Sequence, residues 1–227
     1  MIPEIGHIAL ILALLASLFQ VAIPALGFWR RDPAAIQVAF SGAMVVFALV
    51  MLAYACLTLS FINNDFSVAY VAANSHSELP LMFRISAVWG AHEGSLLLWI
   101  MMLVGWSFAV SRFNRRLPTD VAASALIVLA LIAIGFLLFT LLTSNPFERH
   151  FPVPLEGRDL NPLLQDPGLI IHPPMLYMGY VGFSVAFAFA IAALLSGRLD
   201  TAWARWTRPW TTTAWSVSYT HLRAHET

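Results

Sequence analysis

The sequence contains no lysine, a single cysteine and few charges of either sign. Charged residues make up 11% of the 227 positions and hydrophobic residues 59%, with a mean hydropathy of +0.77. Water-soluble domains usually carry about 25% charged residues. The composition therefore excludes an ordinary soluble domain and predicts a protein that crosses a membrane several times. The formal net charge of zero says nothing about the partners of the protein.

The one cysteine, Cys56, lies inside an apolar stretch. A single thiol excludes an internal disulfide, a CxxC motif and a cysteine-based zinc site within this chain. We therefore expect Cys56 to be a buried thiol that only packs against its neighbours.

Five stretches are long and apolar enough to cross a membrane as helices, which takes about 20 residues each. They are 5–29, 36–62, 86–110, 121–143 and 172–195, and a sixth begins near Thr211. The sequence thus predicts an all-α, polytopic integral membrane protein with five complete transmembrane helices and the start of a sixth. The first stretch lacks a basic start and a small-residue cleavage site, so we interpret it as a retained span.

The arginines predict the orientation, because basic residues accumulate in cytoplasmic loops. Two alternate sets of connections differ in their arginine content. One set holds Arg30, Arg31, Arg112, Arg115, Arg116, Arg198, Arg205 and Arg208, and the other holds only Arg84, Arg149 and Arg158. The N-terminus and the connections 63–85 and 144–171 are therefore predicted to face outward. The second of these connections is rich in proline and acidic residues, which favours an ordered cap over long helices.

The last eleven residues, "VSYTHLRAHET", are polar where the sixth span should become apolar. Each charge at such a depth costs about 2.5–3.5 kcal/mol, so we expect the helix that begins in "TTTAWS" to stop near Ser216. The string also resembles a translated reading frame of a transposon-end sequencing adapter. We interpret residues 1–216 as the N-terminal transmembrane part of a longer protein and 217–227 as a non-native tail.

Polar residues at the start of the third span form a first candidate site. Trp89 is of the type that prefers the headgroup boundary, and His92 and Glu93 follow between Gly90 and Gly94. The two glycines have a spacing that lets another helix approach closely. Polar side chains at a span entrance usually face a protein interior or a wet cavity. His92 and Glu93 could thus serve as ligand or relay, or reach interfacial water.

The second candidate is His172, in "PGLIIHPPMLYMGYVGF". Pro173 and Pro174 suit the first turn of a helix, which predicts that His172 lies at or near the N-cap, held rigidly at the membrane boundary. Gly179 and Gly182 would leave a groove on the same side of the helix for a flat ligand or a second helix. A rigid imidazole above an apolar groove suits an axial haem ligand. On the residues alone, a histidine at a helix end is more often a capping or interfacial residue, so the haem ligand is the minority interpretation at this point.

Two long stretches carry a family resemblance: "LPLMFRISAVWGAHEGSLLLW" from Leu79 and "GRDLNPLLQDPGLIIHPPMLYMGYVGFSVAFAFA" from Gly157. They resemble the CcmF family, the haem-lyase subunit of bacterial system I cytochrome c maturation, over the front part of a family member. The resemblance implies that His172 is an axial iron ligand to a haem b (iron protoporphyrin IX) in the membrane. It also makes Trp89, His92 and Glu93 candidate haem-binding residues. The second axial histidine and the tryptophan-rich segment of the family are expected beyond these residues.

The resemblance further implies an activity, a location and partners. The family joins haem vinyl groups to the cysteines of an apocytochrome c on the periplasmic side. It receives haem from the chaperone CcmE and works with the thiol-handling CcmH. The protein would be a multi-pass protein of the bacterial inner membrane, in contact with lipid, with a periplasmic N-terminus and no nucleic-acid partner. No lyase activity is expected of these residues alone.

Three other functions compete with the lyase. The nearest is the family paralogue dedicated to nitrite reductase, which would share these residues. A haem carrier would bind or relocate haem without forming a bond. A scaffold would use the motifs only for helix packing and would show no haem spectrum.

Overall fold

The computed structural model describes residues 1–113, 117–197 and 201–223. Within these ranges the chain is almost entirely helical, with one isolated bridge between Val68 and Arg149. The helices are α1 (Ile2–Arg30), α2 (Pro33–Ile62), α3 (Ala69–Asn74), α4 (Leu81–Ala87), α5 (His92–Arg112), α6 (Thr119–Thr143), α7 (Pro167–Ser196) and α8 (Thr201–Arg223). Five of them, α1, α2, α5, α6 and α7, are long and apolar enough to cross a membrane. The predicted all-α, five-span architecture is therefore confirmed.

A tight connection joins α1 to α2. Arg31 adopts the left-handed conformation (φ 56°) that ends α1. The Asp32 carboxylate then accepts hydrogen bonds from the Ala34 and Ala35 N–H groups at 2.9 and 3.4 Å, and Pro33 occupies the first helical position. An N-cap carboxylate and a following proline both favour a helix start, so the two helices pack side by side as an antiparallel pair.

Helix α5 is central to the bundle and packs against α2, α6 and α7. Its inward side chains include Leu97, Ile100 and Leu103, all buried. Small residues such as Ala39 and Ala43 of α2 and Ala133 of α6 are buried as well. Since lipid is as apolar as leucine, helices in a membrane associate through close packing, which small residues permit. Cys56 is also buried, as expected.

The two long connections cover one end of the bundle. We name 63–91 the first loop, 144–166 the second loop, and the end that they cover the capped end. The second loop packs on the first through its backbone, since Ala69 N–H donates to the Glu148 carbonyl at 2.9 Å and Arg158 N–H to the Ala72 carbonyl at 2.7 Å. The prediction of an ordered cap over residues 144–171 agrees with these contacts.

Charged side chains hold the cap together. Arg149 pairs with Glu4 of α1, hydrogen-bonds Ser67 and lies 3.7 Å from the Asp65 carboxylate. The Glu156 carboxylate accepts hydrogen bonds from the Ser77 N–H at 2.9 Å and the Ser77 hydroxyl at 2.5 Å. These bonds from Ser77 lower the pKa of the Glu156 carboxyl. The second loop is thus tied to both the first loop and α1.

Arg84 fixes the first loop to the bundle. Its guanidinium donates to the carbonyls of Leu79 at 2.7 Å, Ser77 at 2.6 Å and Ile62 at 3.2 Å. Ile62 is the last residue of α2. A guanidinium has five N–H donors and no acceptor, so one side chain can satisfy three carbonyls that the irregular chain leaves open.

The predicted start of the third span at residue 86 is wrong. Helix α4 ends at Ala87, and α5 begins only at His92 after a turn. Gly90 and Gly94 do not serve a helix–helix contact. A Cβ on Gly94 would lie 1.7 Å from the Val88 carbonyl oxygen, and one on Gly90 would meet Leu164 of the second loop at 3.1 Å. The glycines permit the chain to turn back on itself under the cap.

The expected start of the sixth helix near Thr211 and its end near Ser216 are also wrong. Helix α8 begins at Thr201 and continues to Arg223. Its tryptophans explain the early start, since Trp203 donates to the Phe189 carbonyl at 3.2 Å and Trp210 packs edge-on against Trp106 at 6.3 Å. Three arginines of the predicted orientation lie outside the described residues, namely Arg115, Arg116 and Arg198. The same is true of residues 224–227 of the predicted tail. The non-native origin of 217–227 stays a prediction.

Gly157 tests the contact between the two loops. In Gly157→Ala the new Cβ would lie 2.0 Å from the Ser75 carbonyl oxygen, and overpacking of this kind costs about 1–3 kcal/mol. We expect a lower Tm in detergent and faster proteolysis within the second loop. Gly135→Ala is the matched control, because nothing lies within 4 Å of its Cβ position. Equal behaviour of the two variants would contradict the tight packing.

Candidate functional site

Helix α7 begins earlier than its double proline indicates. The Asp166 carboxylate accepts hydrogen bonds from Gly168 N–H at 2.8 Å and Leu169 N–H at 3.2 Å, and Pro167 takes the first helical position. The prediction that His172 lies at the N-cap is therefore wrong. His172 lies in the second turn, and Pro173 and Pro174 are inside the helix.

The prolines still constrain this part of the helix. Within an α-helix each carbonyl accepts from the N–H four residues later, and proline has no N–H. Pro173 and Pro174 therefore remove the usual donors for the carbonyls of Leu169 and Ile170. The indole N–H of Trp89, at the end of the first loop, donates to the Ile170 carbonyl at 3.1 Å. Trp89 and the turn that carries His172 are thus brought together, as two candidate residues of one site.

His172 is half-buried at the capped end. Large apolar side chains beside it on α7 are exposed, namely Leu169 at 40%, Ile171 at 61% and Met175 at 38%. The predicted glycine groove is filled by a helix. A Cβ on Gly179 would meet the Ser218 backbone at 2.6 Å, and one on Gly182 would meet Ala214 at 2.8 Å, both in α8. Of the two expected occupants, the structure has the second helix, and the exposed apolar side of α7 stays open to a flat ligand.

His92 contacts the end of α6, and Glu93 lies at the start of α5. The Nε2 atom of His92 lies 2.8 Å from the Ser144 hydroxyl, where α6 ends, and its ring meets Phe139 edge-on at 6.2 Å. Glu93 is half-buried in the first turn of α5, a position where a carboxylate is stabilised by the helix dipole. His92 therefore joins the start of α5 to the end of α6, and the haem-binding roles of His92 and Glu93 stay predictions.

Tyr70, which sequence reasoning missed, organises the turn between α4 and α5. Its hydroxyl lies 3.1 Å from the Val88 carbonyl and accepts a hydrogen bond from Ala91 N–H, also at 3.1 Å. The side chain is 5% exposed, and this burial raises the pKa of its hydroxyl. The sequence indicated only an aromatic residue in an outward loop. A local pattern cannot identify hydrogen-bond partners that lie 18 and 21 residues later in the chain.

An aromatic cluster connects α5 and α7 below His172. The hydroxyls of Ser95 and Tyr177 lie 2.6 Å apart. The Trp99 ring packs against Tyr177 at 5.1 Å, Tyr180 at 5.8 Å and Phe136 at 5.9 Å. One turn after the prolines, the helix is therefore fixed to the centre of the bundle.

The donor atoms bear on which metal could bind. Among the described residues, no three histidine, cysteine or acidic side chains are grouped so as to hold a metal ion. A bare transition-metal ion usually needs three or four protein ligands. A porphyrin brings four nitrogens of its own, so its iron needs only one or two axial ligands from protein. His172, with apolar neighbours, fits one side of such a group.

Together, the five apolar helices and the two loops over their capped end define a multi-pass, helical membrane protein. A model of the family described as "Cytochrome C assembly protein" matches residues 89–221. This chain belongs to that family.

Individual relatives agree with this assignment. The chain is 62% identical over 217 residues to the cytochrome c-type biogenesis protein CcmF of Pseudomonas aeruginosa, covering 95% of this chain and 33% of that protein. It is 43% identical to the biogenesis protein NrfE of Haemophilus influenzae, covering 95% of this chain and 34% of that protein. A solved structure of the cytochrome c haem lyase CcmF superposes with a TM-score of 0.81 at 28% identity, over 96% of this chain and 34% of that one. The chain thus spans about a third of the length of its curated relatives.

Tyr70→Phe tests the buried hydroxyl. Without it, the Ala91 N–H and the Val88 carbonyl lose a partner, and an unsatisfied buried polar group costs about 1–3 kcal/mol. We expect a lower Tm and faster hydrogen exchange in residues 88–95. Tyr180→Phe, whose ring is 62% exposed, is the control and should change neither. Normal exchange in Tyr70→Phe would refute the role given to the hydroxyl.

Proposed function

We propose that this chain forms part of a haem lyase for cytochrome c maturation. Family membership supports the pathway. The observation that carries the site is the rigid second turn of α7, where His172 follows a capped helix start, precedes two prolines and lies two residues after a carbonyl held by Trp89. These contacts hold the backbone that carries His172, and a well-oriented imidazole is what an axial iron ligand requires.

The bound group would be haem b, held without covalent bonds. The haem b would stay in the membrane, whereas the haem that is transferred to an apocytochrome c supplies the vinyl groups that become thioethers. His172 would bind the iron through a ring nitrogen on one face of the porphyrin, and the exposed Leu169, Ile171 and Met175 would pack against that same face. Trp89 would hold the helix turn below. His92 and Glu93 would contribute to the architecture of the haem-binding end rather than contact haem, because their partners are Ser144, Phe139 and the α5 terminus.

The proposed location is the inner membrane, with the capped end in the periplasm. The arginine asymmetry supports this orientation, and thioether formation on exported cytochromes requires it. CcmE as haem donor, CcmH as thiol-handling partner and apocytochrome c as substrate would then meet the protein at the capped end. The remaining two thirds of a relative's length would supply the rest of the enzyme.

Two alternatives remain distinguishable. The identity of 62% to a CcmF against 43% to an NrfE favours the general lyase over the paralogue. A carrier would bind haem at His172 but leave none covalently attached. Incubation of the full-length protein with haem and a CxxCH peptide separates lyase from carrier, because only the lyase yields haem that stays on the peptide after acid–acetone extraction.

Replacement of His172 tests the ligand assignment. In the full-length protein, His172→Ala should remove or shift the low-spin haem absorption spectrum of the purified membrane protein, while membrane insertion stays normal. His150→Ala is the control, since His150 is an exposed second-loop histidine whose backbone N–H, not its ring, bonds Ser67. A wild-type spectrum in His172→Ala would reject His172 as a ligand.

Reporter fusions test the orientation. A fusion after Pro118, between α5 and α6, should behave as cytoplasmic, and one after Glu156, in the second loop, as periplasmic. Alkaline phosphatase and green fluorescent protein give opposite signals on the two sides, so each fusion point has an internal check. The reverse pattern would overturn the arginine argument and the proposed location together.

A further inference from the structure

We propose that Trp89 is a positioning residue for His172, and that its indole supplies the hydrogen bond that Pro174 cannot make. The haem part of this inference depends on the proposed function, whereas the backbone part does not. Trp89 would act through α7 without touching iron.

The first step is the missing donor. Residue 174 would normally donate its N–H to the Ile170 carbonyl, but a proline stands there. The Trp89 Nε1 atom lies 3.1 Å from that same carbonyl oxygen. In a membrane-spanning helix a carbonyl without a donor is unfavourable, and helices that contain proline satisfy such groups from neighbouring elements. The indole is placed to do this.

The second step is the anchoring of Trp89 itself. Its neighbour Val88 is fully buried, and the Val88 carbonyl lies 3.1 Å from the Tyr70 hydroxyl. Gly90, on its other side, packs against Leu160 and Leu164 of the second loop. The indole therefore projects from a turn that the first and second loops hold in place, and it transmits their position to α7.

The third step links Ile170 to His172. The two residues lie in the same turn of α7, after the Asp166 cap and before the prolines. Because the prolines remove two intrahelical hydrogen bonds from this segment, the orientation of the imidazole depends on contacts from outside the helix. The hydrogen bond from Trp89 is such a contact, because it holds the Ile170 carbonyl two residues before His172.

Trp106 of α5 offers a matched control, because its indole also donates to a carbonyl of α7. Its Nε1 atom donates to the Met178 carbonyl at 3.0 Å, so the geometry of the bond is alike. Residue 182, however, is a glycine with an N–H, so the Met178 carbonyl keeps its regular helical donor. Loss of the Trp106 bond should leave the α7 backbone satisfied.

The experiment is a double-mutant cycle on the full-length protein with two measurements. In haem-free protein, Trp89→Phe should raise the hydrogen exchange of residues 168–172 by up to about tenfold, the size expected when a part-buried carbonyl loses its partner, and Trp106→Phe should not. In haem-loaded protein, Trp89→Phe should shift the low-spin electron paramagnetic resonance signal, which reports the angle of the axial imidazole. Pro174→Ala restores the backbone N–H, so Trp89→Phe should have little effect in that background.

The outcomes separate the claims. Equal effects of Trp89→Phe with and without Pro174→Ala would overturn the inference, because the indole would then not replace the missing donor. Faster exchange with an unchanged haem signal would reject the positioning of His172. Failure of the proposed function is seen elsewhere, as a normal spectrum in His172→Ala, and it leaves the exchange measurement valid.

Discussion

Two consecutive prolines inside a membrane helix set the constraint on which the rest of this structure depends. A membrane offers no water to backbone groups that lose their partners, so protein must satisfy them. Pro173 and Pro174 leave the carbonyls of Leu169 and Ile170 without their usual donors. An element from outside α7 then has to approach this turn closely, and the first loop does so with Trp89.

The same rule explains why the capped end is rich in side chain-to-backbone hydrogen bonds. The break between α4 and α5 opens the backbone at Val88 and Ala91, and Tyr70 closes it. The irregular path of residues 77–84 is satisfied by the Arg84 guanidinium. Arg149 connects the second loop to α1. The rigidity of the site therefore comes from the loops, and the apolar helices beneath supply a platform for them.

Sequence reasoning succeeded where one physical effect dominates. Long apolar stretches can only be membrane helices, so the five spans and the burial of Cys56 were predictable. It failed where two local signals compete. At α7 the double proline suggested a helix start. Asp166 followed by Pro167 is the stronger N-terminal signal, because the Asp166 carboxylate accepts hydrogen bonds from two N–H groups that have no partner within the helix. The prolines are instead tolerated inside the helix.

Long-range contacts were beyond local patterns altogether. The spacing of Gly90 and Gly94 suggested helix packing, whereas the glycines make room for Leu164 and for the Val88 carbonyl. The tryptophans of α8 fix that helix to Trp106 and Phe189 and extend it to a start ten residues before the predicted one. Trp89 contacts the turn of His172 through the Ile170 carbonyl, a bond that no local pattern indicated, and its contact with haem stays a prediction.

The proposed chemistry of the site follows from the difference in burial between His172 and the apolar side chains around it. His172 is half-buried on the bundle side, and Leu169, Ile171 and Met175 remain exposed around it. An axial ligand must keep its ring in one orientation, and it must also leave the space in front of its ring nitrogen open for the metal. A rigid helix turn with exposed apolar neighbours meets both needs, since the backbone fixes the imidazole and hydrocarbon side chains accept the face of a flat, largely apolar ring. In the proposed site, the second axial ligand would have to approach from the other side of the porphyrin, opposite this surface.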